Sequence, residues 1–296
     1  METKKERQFF QAVSDLGFKK LFATEGNEAL RLQLLNAVIQ DREIVEAKLL
    51  ETTHAVNEET SSTFDLYCLC SDGERVIVEM QKRSRGRFMD RALAYSAMAI
   101  LDQARRKWGY EFGKIYFVGI LDYVHFHGRN QALTRVSLQT EDDHQVTNEN
   151  YLQIFVELPK LATKGKATGG EGFLRAVRDI GKSDSRPAEY LGKEYDNLFH
   201  AARYGRLDDE EKQQYETEMS TEEDYREWHE YEVKKSREEG REEGREIGRE
   251  EGREEGLRDT ARNMLAEGLD VGLVSKCTGL SQEEIAALQA VNGTLR

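Results

Sequence analysis

The chain has 296 residues, enough to bury the core of one or two domains. Its three cysteines show no disulfide or zinc spacing and its longest apolar run, residues 115–121, is too short to cross a bilayer, so we expect a cytoplasmic protein without membrane contacts. The net charge of −13 lies entirely in residues 207–296, which hold 13 basic and 26 acidic residues, and this acidity argues against a nucleic-acid-binding face in that part of the chain.

The first 53 residues predict two short helices and a strand. Two aromatic pairs in residues 8–24 suit short helical turns, and Asn27 is a suitable N-cap for a second helix with apolar positions spaced at three and four. Glu25 and Glu28 flank this helix start, where they complement the helix dipole. Residues 42–53 predict the first strand.

A β-hairpin is predicted where Asp72-Gly73 separates two apolar, β-branched runs. Asp65 lies in the first run, and Glu79 shares a face of the second with Gln81. A suitable register would place Asp65 beside Glu79. Carboxylates in such apolar strands are costly unless they are paired, and a divalent cation is the partner that two of them indicate. The alternative is that both acids face solvent.

A basic cluster follows the second strand. Cations at the start of the helix predicted over residues 86–107 oppose the helix dipole and favour a bound anion such as phosphate. With the two carboxylates, such a cluster provides what phosphodiester cleavage needs, a cation site and a grip on the flanking phosphates. The alternative is a solvated helix start. The basic residues are Lys82, Arg83, Arg85, Arg87 and Arg91.

The elements after this helix complete an α/β pattern. Residues 114–126 predict a strand covered on both faces, and residues 136–158 predict a further hairpin. His125 and His127 share a face of the strand, but nothing nearby completes a metal-ligand set, so we do not expect them to bind a metal. The order of helices and strands predicts a mixed central sheet flanked by helices. The glycine-rich residues 163–172 predict a linker.

These residues carry a family resemblance. Asp65 followed by Glu79-Met80-Gln81 resembles the PD-(D/E)XK nuclease superfamily, and more narrowly the Rpn family of recombination-promoting nucleases, also described as transposases. The resemblance implies a restriction-endonuclease-like core and a metal-dependent DNA endonuclease. Mg²⁺ is the expected ion, with Mn²⁺ or Ca²⁺ as alternatives, and DNA is the expected partner. Further matching pieces are Phe18-Lys19-Lys20-Leu21-Phe22, Leu34-Leu35-Asn36-Ala37, Glu157-Leu158-Pro159-Lys160 and the Gly-Arg-Glu-rich tail.

The resemblance also implies residue roles. Asp65 and Glu79 would be catalytic metal ligands, Gln81 would position water or phosphate, and the Lys82 to Arg91 run would hold the DNA backbone. In the superfamily a first-helix Glu sometimes joins the metal site, which makes Glu25 or Glu28 an alternative to their role at the helix dipole. Where the superfamily usually has Lys this chain has Gln81, and an amide cannot supply positive charge to the transition state. That charge could come from Lys82, Arg83 or Lys19, which the sequence leaves open. A catalytically weak relative that binds DNA or a protein partner is therefore the first alternative.

The C-terminal part of the chain predicts helices throughout. We expect a nuclease core over residues 1–163, a helical extension over 171–232, a Gly-Arg-Glu tetrad-repeat helix over 233–258 and a helical hairpin over 259–296. The five tetrad glycines make the helix either a fraying charged spacer or a ridge, as in a coiled coil, where another helix approaches closely. Either reading keeps open a second alternative, an assembly protein that works through this tail.

The last helix of the predicted hairpin has a clear start. Ser281 and Glu284 predict a capping box there. The hairpin has the outline of a helix-turn-helix, yet residues 281–290 contain two acids and no base. We therefore expect a packing unit that forms a homo-oligomer.

Overall fold

The computed structural model describes residues 7–55, 61–84, 86–106, 112–163, 165 and 168–293. Arg85, one of the predicted phosphate ligands, lies outside the described residues. Contacts divide the chain into two compact units, Met1–Ser220 and Thr221–Arg296. The helices are α1 (Asp15–Phe22), α2 (Glu28–Val38), α3 (Phe88–Arg106), α4 (Gly169–Asp179), α5 (Asp196–Ala201), α6 (Asp209–Ala266), α7 (Val271–Thr278) and α8 (Gln282–Gly293). The strands are β1 (Ala47–Leu49), β2 (Thr53–Ala55), β3 (Ser61–Thr63), β4 (Leu66–Cys70), β5 (Arg75–Gln81), β6 (Ile115–Leu121), β7 (Leu133–Gln139) and β8 (Val146–Glu157).

A six-stranded mixed sheet forms the centre of the first unit, in the order β1-β4-β5-β6-β8-β7. Strands β5, β6 and β8 are parallel, and the other pairings are antiparallel. The predicted hairpin is confirmed as β4 and β5, and Gly73 adopts φ +84° in its turn, a conformation that glycine adopts without strain. Because β5, β6 and β8 run the same way, their carboxyl ends meet at one edge of the sheet.

Both faces of this sheet are covered, which explains the nearly continuous apolar sequence of β6. Alternate residues of β5 point to opposite sides. Val76 and Val78 join the core formed with α1, α2, α4 and α5, whereas Ile77 joins the core formed with α3. Glu79 is two residues after Ile77 and therefore lies on the α3 side. Cys68 and Cys70 of β4 are both buried.

The strand predicted to contain Asp65 is interrupted at that residue. A separate two-stranded sheet of β2 and β3 precedes it, and the chain bends at Asp65 before β4 begins at Leu66. The first predicted strand is likewise shorter than expected, since β1 covers only Ala47–Leu49. Local β propensity runs through both stretches, but the pairing partners change along them, and pairing decides where a strand ends.

The glycine-rich linker prediction is wrong over its second half. Helix α4 begins at Gly169, and Gly170 packs against α2. A Cβ at Gly170 would lie 3.0 Å from the Cα of Ala37, so glycine permits this close approach of two helices. Buried side chains of the following segments belong to the same core as α1 and α2, including Phe173, Tyr190 and Tyr215.

The first residues of α6 fasten α1. The carboxylate of Glu218 accepts the N–H groups of Asp15, at 2.7 Å, and Leu16, at 3.3 Å. It therefore shares with Ser14 the capping of α1, and an acid suits this helix end. The hydroxyl of buried Tyr215 accepts the N–H of Gln11 at 2.9 Å. Contacts distant in sequence therefore fix the position of α1.

In the second unit, the last turns of α6 pack with α7 and α8 around Ala261, Val274 and Ile285. The predicted capping box of α8 is confirmed. The Ser281 hydroxyl oxygen accepts the Glu284 N–H at 3.2 Å, and the Glu284 carboxylate accepts the Ser281 N–H at 2.8 Å.

Candidate active site

Asp65 and Glu79 meet near the carboxyl end of β5. The Asp65 N–H donates to Oε1 of Glu79 at 3.2 Å, and the Met80 N–H donates to Oδ2 of Asp65 at 2.9 Å. The register of β4 on β5 pairs Leu66 with Val78, so the preceding residue, Asp65, falls beside Glu79. The bend at Asp65 lets its own backbone donate to the second carboxylate. The structure thus brings together the two acids that the sequence singles out.

Both carboxylates are poorly solvated. Burial, together with the charge of Asp65, raises the pKa of Glu79 to about 8. Burial also raises the pKa of Asp65, although the Met80 N–H and the charge of Lys19 oppose the increase. Glu79 is only 4% exposed. The raised pKa values mean that the described protein groups do not fully compensate the negative charge that the two adjacent acids would carry when ionised.

Lys19 of α1 approaches this pair from one side. Its Nζ lies 3.6 Å from Oδ1 of Asp65 and 2.9 Å from Oδ1 of Asp15, one helical turn earlier. The aromatic side of α1 is buried through Phe18 and Phe22, which leaves Lys19 on the open side of the helix. Its neighbour Lys20 pairs with Glu211 of α6 instead.

Arg91 of α3 approaches from the other side of the sheet. Its positive charge lowers the pKa of Glu79 against the dominant effect of burial. Its guanidinium carbon lies 5.4 Å from the centre of the Phe88 ring. Its Nε and Nη2 are buried and have no hydrogen-bond partner among the described residues. The hydroxyl of Tyr123, just past the end of β6, is also buried without a partner. Within the described part of the chain, these atoms are unsatisfied polar groups on the α3 side of the sheet, and the charge of Arg91 reaches Glu79.

The other predicted site residues that the structure describes lie at the end of β5 or after it. Gln81 ends β5, and its side-chain amide donates to the carbonyl of Met80 at 2.9 Å. Lys82 and Arg83 are half-buried just after the strand. Arg87 is exposed immediately before α3, with φ +66°. A positive φ is uncommon for arginine, and such backbone outliers cluster at functional sites.

Three nearby residues escaped the sequence analysis as site residues. Asp15 could have been found from its i,i+4 spacing to Lys19. Tyr123 had no signal of its own except its place after a buried strand. Glu157 ends β8 and accepts the N–H groups of His125, at 2.7 Å, and Phe126, at 3.0 Å. It also pairs with Lys160 at 2.6 Å, so it fixes the loop that carries Tyr123.

The donor set suits a hard divalent cation. Over the described ranges, no three His, Cys, Asp or Glu side chains form a metal-binding group. Mg²⁺ does not require one, because it keeps several waters and binds through one or two carboxylates together with substrate phosphates. Asp65 and Glu79 match that pattern. Glu28 is fully exposed and accepts the Gly26 N–H at 3.2 Å, a role at the start of α2.

The mixed sheet flanked by helices, with its two acids near the end of one central strand, defines a restriction-endonuclease-like α/β protein. Residues 12–232 match the family described as PD-(D/E)XK nuclease family transposase. The match covers most of the chain, and the chain belongs to this family. Comparisons with curated proteins and with solved structures gave no match.

Residues 254–290 match the C-terminal HTH domain of the Rpn/YhgA-like nuclease family. This match corrects the expectation of a packing unit in place of a helix-turn-helix. That expectation rested on the two acids of the last helix, and one of them, Glu284, is engaged in the capping box. Across the described part of the chain, no helix is long and apolar enough to span a bilayer.

Proposed function

We propose that the protein is a cytoplasmic, divalent-metal-dependent DNA endonuclease that promotes recombination or transposition. The observation that carries this proposal is the adjacency of Asp65 and Glu79, of which Glu79 is buried and Asp65 half-buried. Removing two acids from water is costly, and their raised pKa values show that the described surroundings do not offset this cost. A divalent cation offsets it, and nucleases of this superfamily generally use one.

The reaction is hydrolysis of a phosphodiester. The oxygen of a water molecule bonds to phosphorus and one ester P–O bond breaks. One proton of the water passes to the leaving oxygen and the other is released. Asp65 and Glu79 would hold the cation, Mg²⁺ by preference, and this ion would supply charge that polarises the water and the phosphate. Gln81 would orient the attacking water from the end of β5.

DNA would be held at two places. Near the acidic pair, Arg91 offers buried donors and Arg87 exposed charge to phosphates, with Lys82, Arg83 and Arg85 extending the same basic run. The C-terminal HTH domain would contribute a second DNA contact. We also propose that the helical tail mediates homo-oligomerisation, because Trp228 and Tyr231 of α6 are 56% and 64% exposed.

Nicking of supercoiled plasmid tests the proposal, with Mg²⁺, Mn²⁺ or Ca²⁺ added or with a chelator. We expect metal-dependent nicking that falls at least about 100-fold in Asp65→Asn and in Glu79→Gln. Glu28→Gln is the matched control and should retain wild-type activity. Wild-type protein that fails to nick with every ion, or Glu79→Gln protein that nicks normally, would refute the proposal.

The alternative is a catalytically weak relative that binds DNA. The specific observation in its favour is Gln81, which is uncharged and whose amide donates to the backbone. The same assay separates the two, because such a relative would bind plasmid and leave it intact.

A further inference from the structure

Gln81 carries no charge at a position where related nucleases carry a positive one. The superfamily usually places Lys two residues after the second acid, where this chain has an amide. The hydrolysis proposed above concentrates negative charge on the phosphate oxygens at the transition state, and a fixed cation stabilises that charge. A nuclease with this site therefore needs a cation from another element.

We infer that Lys19 of α1 is the catalytic cation that replaces the lysine absent at Gln81, and that its ammonium contacts the phosphate undergoing cleavage. Its Nζ lies 3.6 Å from Oδ1 of Asp65, one of the two proposed metal ligands. A group at this distance from a metal ligand can reach a phosphate oxygen bound to the same metal. This inference rests on the proposed nuclease function.

The surroundings of Lys19 fit a role toward substrate. Its side chain is 41% exposed, and it lines a cleft of about 600 Å³ together with Lys20 and Asp65. The cleft gives a phosphate access to both the ammonium and the carboxylate.

The position of Lys19 is also fixed, as catalysis requires. The ion pair with Asp15 holds the side chain along α1, and Glu218 of α6 caps the N–H groups of Asp15 and Leu16. Asp15 and Glu218 are therefore positioning residues, while Lys19 is the group that contacts the phosphate. The other cation near the pair, Arg91, lies on the opposite side, stacked against Phe88.

A rescue experiment tests the assignment in the full-length protein. Lys19→Met should reduce the nicking rate at saturating DNA about 100-fold, the usual loss for one transition-state donor. Gln81→Lys in the same chain should restore the rate to within about tenfold, because it returns the cation to the usual position. Lys48→Met is the matched control, since Lys48 is an exposed lysine of β1 that pairs with Glu46 and does not line this cleft, and it should nick at the wild-type rate.

A second measurement separates catalysis from folding and from DNA affinity. Binding of a fluorescent duplex without metal should change less than about threefold in Lys19→Met, because at most one phosphate contact is lost. Its melting temperature should stay near that of Lys48→Met.

Each outcome has one meaning. Full activity in Lys19→Met, or a loss that Gln81→Lys does not restore, would overturn the role of Lys19. A loss of activity in Lys82→Gln or Arg83→Gln with Lys19→Met active would move the role to that residue. If the wild-type protein shows no metal-dependent nicking that depends on Glu79, the proposed function itself fails.

Discussion

At the scale of single residues, the site is defined by two adjacent acids, Glu79 buried and Asp65 half-buried, whose charge in the ionised form is incompletely compensated. Asp65 and Glu79 share one hydrogen bond, and cations approach them from two helices on opposite sides. The arrangement is unfavourable for the metal-free fold and favourable for cation binding. Stability and function therefore depend on Glu79 in opposite directions.

The pKa of Glu79 predicts how metal-free stability depends on pH. The folded pKa is raised to about 8 from an ordinary value of 4.5, so between these pH values the folded protein binds more protons than the unfolded chain. The free energy of unfolding must then fall as pH rises through this window. We expect Glu79→Gln to remove the part of this decline that is due to Glu79 and to raise the melting temperature at pH 8 by several degrees.

Calorimetry with a chelator between about pH 5 and about pH 9 measures this effect. Glu28→Gln provides the control, because Glu28 is fully exposed and should leave the decline unchanged. Equal pH profiles for Glu79→Gln and wild type would show that Glu79 titrates normally. Adding Mg²⁺ should stabilise the wild type more at pH 8 than at pH 6, since protons and the cation compete for the same carboxylates.

Arg87 allows charge and backbone strain to be separated. Its φ of +66° costs about 1 kcal/mol for a residue with a side chain, and glycine avoids most of that cost. Arg87→Gly should therefore be at least as stable as wild type, yet it should bind DNA more weakly. The log-log salt slope should flatten by about 0.9 for one lost phosphate contact. Arg87→Gln should show the same loss of binding without the gain in stability, and an unchanged slope in both would place Arg87 away from DNA.

Part of the site could be predicted from sequence because it depends on local rules. The Asp72-Gly73 turn fixes the register of β4 on β5, and the register places Asp65 beside Glu79. The choice of Lys19 over Lys82 or Arg83 depends on how α1 packs, which Tyr215 and Glu218 determine from about 200 residues away. No local pattern carries that information. Tyr123 was missed for the same reason, since its position depends on the loop fixed by Glu157.

At the scale of elements, the tetrad repeat within α6 is the clearest departure from helix propensity. A Cβ added at Gly240, Gly244, Gly248, Gly252 or Gly256 would meet no atom of the described chain within 4 Å. Replacing all five with Ala should therefore favour the helix by about 1 kcal/mol per position. Far-UV circular dichroism should show higher helix content and a higher melting temperature for this segment.

Sedimentation of the same variant distinguishes the two roles of the repeat. Assemblies of unchanged or greater size would support a spacer, because added methyl groups then meet only solvent. Dissociation would show that a neighbouring helix packs against the glycine row. Glu251→Ala, on the same helix outside the glycine row, controls for an effect of the substitution itself.

At the scale of the whole molecule, α6 links two compact units and fastens α1 in the first of them. A chain ending at Tyr231 keeps Glu211, Tyr215 and Glu218, and we expect it to fold and to nick DNA with weaker affinity, because the HTH domain is gone. A chain ending at Leu207 loses the cap of α1 and a buried aromatic, and we expect it to be several kcal/mol less stable. Thermal melts and nicking rates of the two chains, beside the full length, test this.

The same pair of chains tests assembly. If the tail mediates homo-oligomerisation, the chain ending at Tyr231 should sediment as a smaller species than the full length. If the chain ending at Tyr231 has a normal melting temperature but does not nick DNA, catalysis depends on the C-terminal unit. Such dependence could not be read from sequence, which indicates the type of each element more directly than its tertiary contacts.

The three cysteines are natural probes of local unfolding around β4. Burial raises the pKa of Cys68 to about 12 and that of Cys70 above its ordinary value, whereas Cys277 of α7 is exposed. Since the thiolate is the reactive form, a thiol reagent should label one cysteine in the native protein and three after denaturation. The labelling rate of Cys68 and Cys70 would measure the rate of local unfolding of the sheet beside Asp65 and Glu79. Bound Mg²⁺ should lower this labelling rate. A dye on Cys277 would at the same time report DNA arriving at the HTH domain, without any engineered residue.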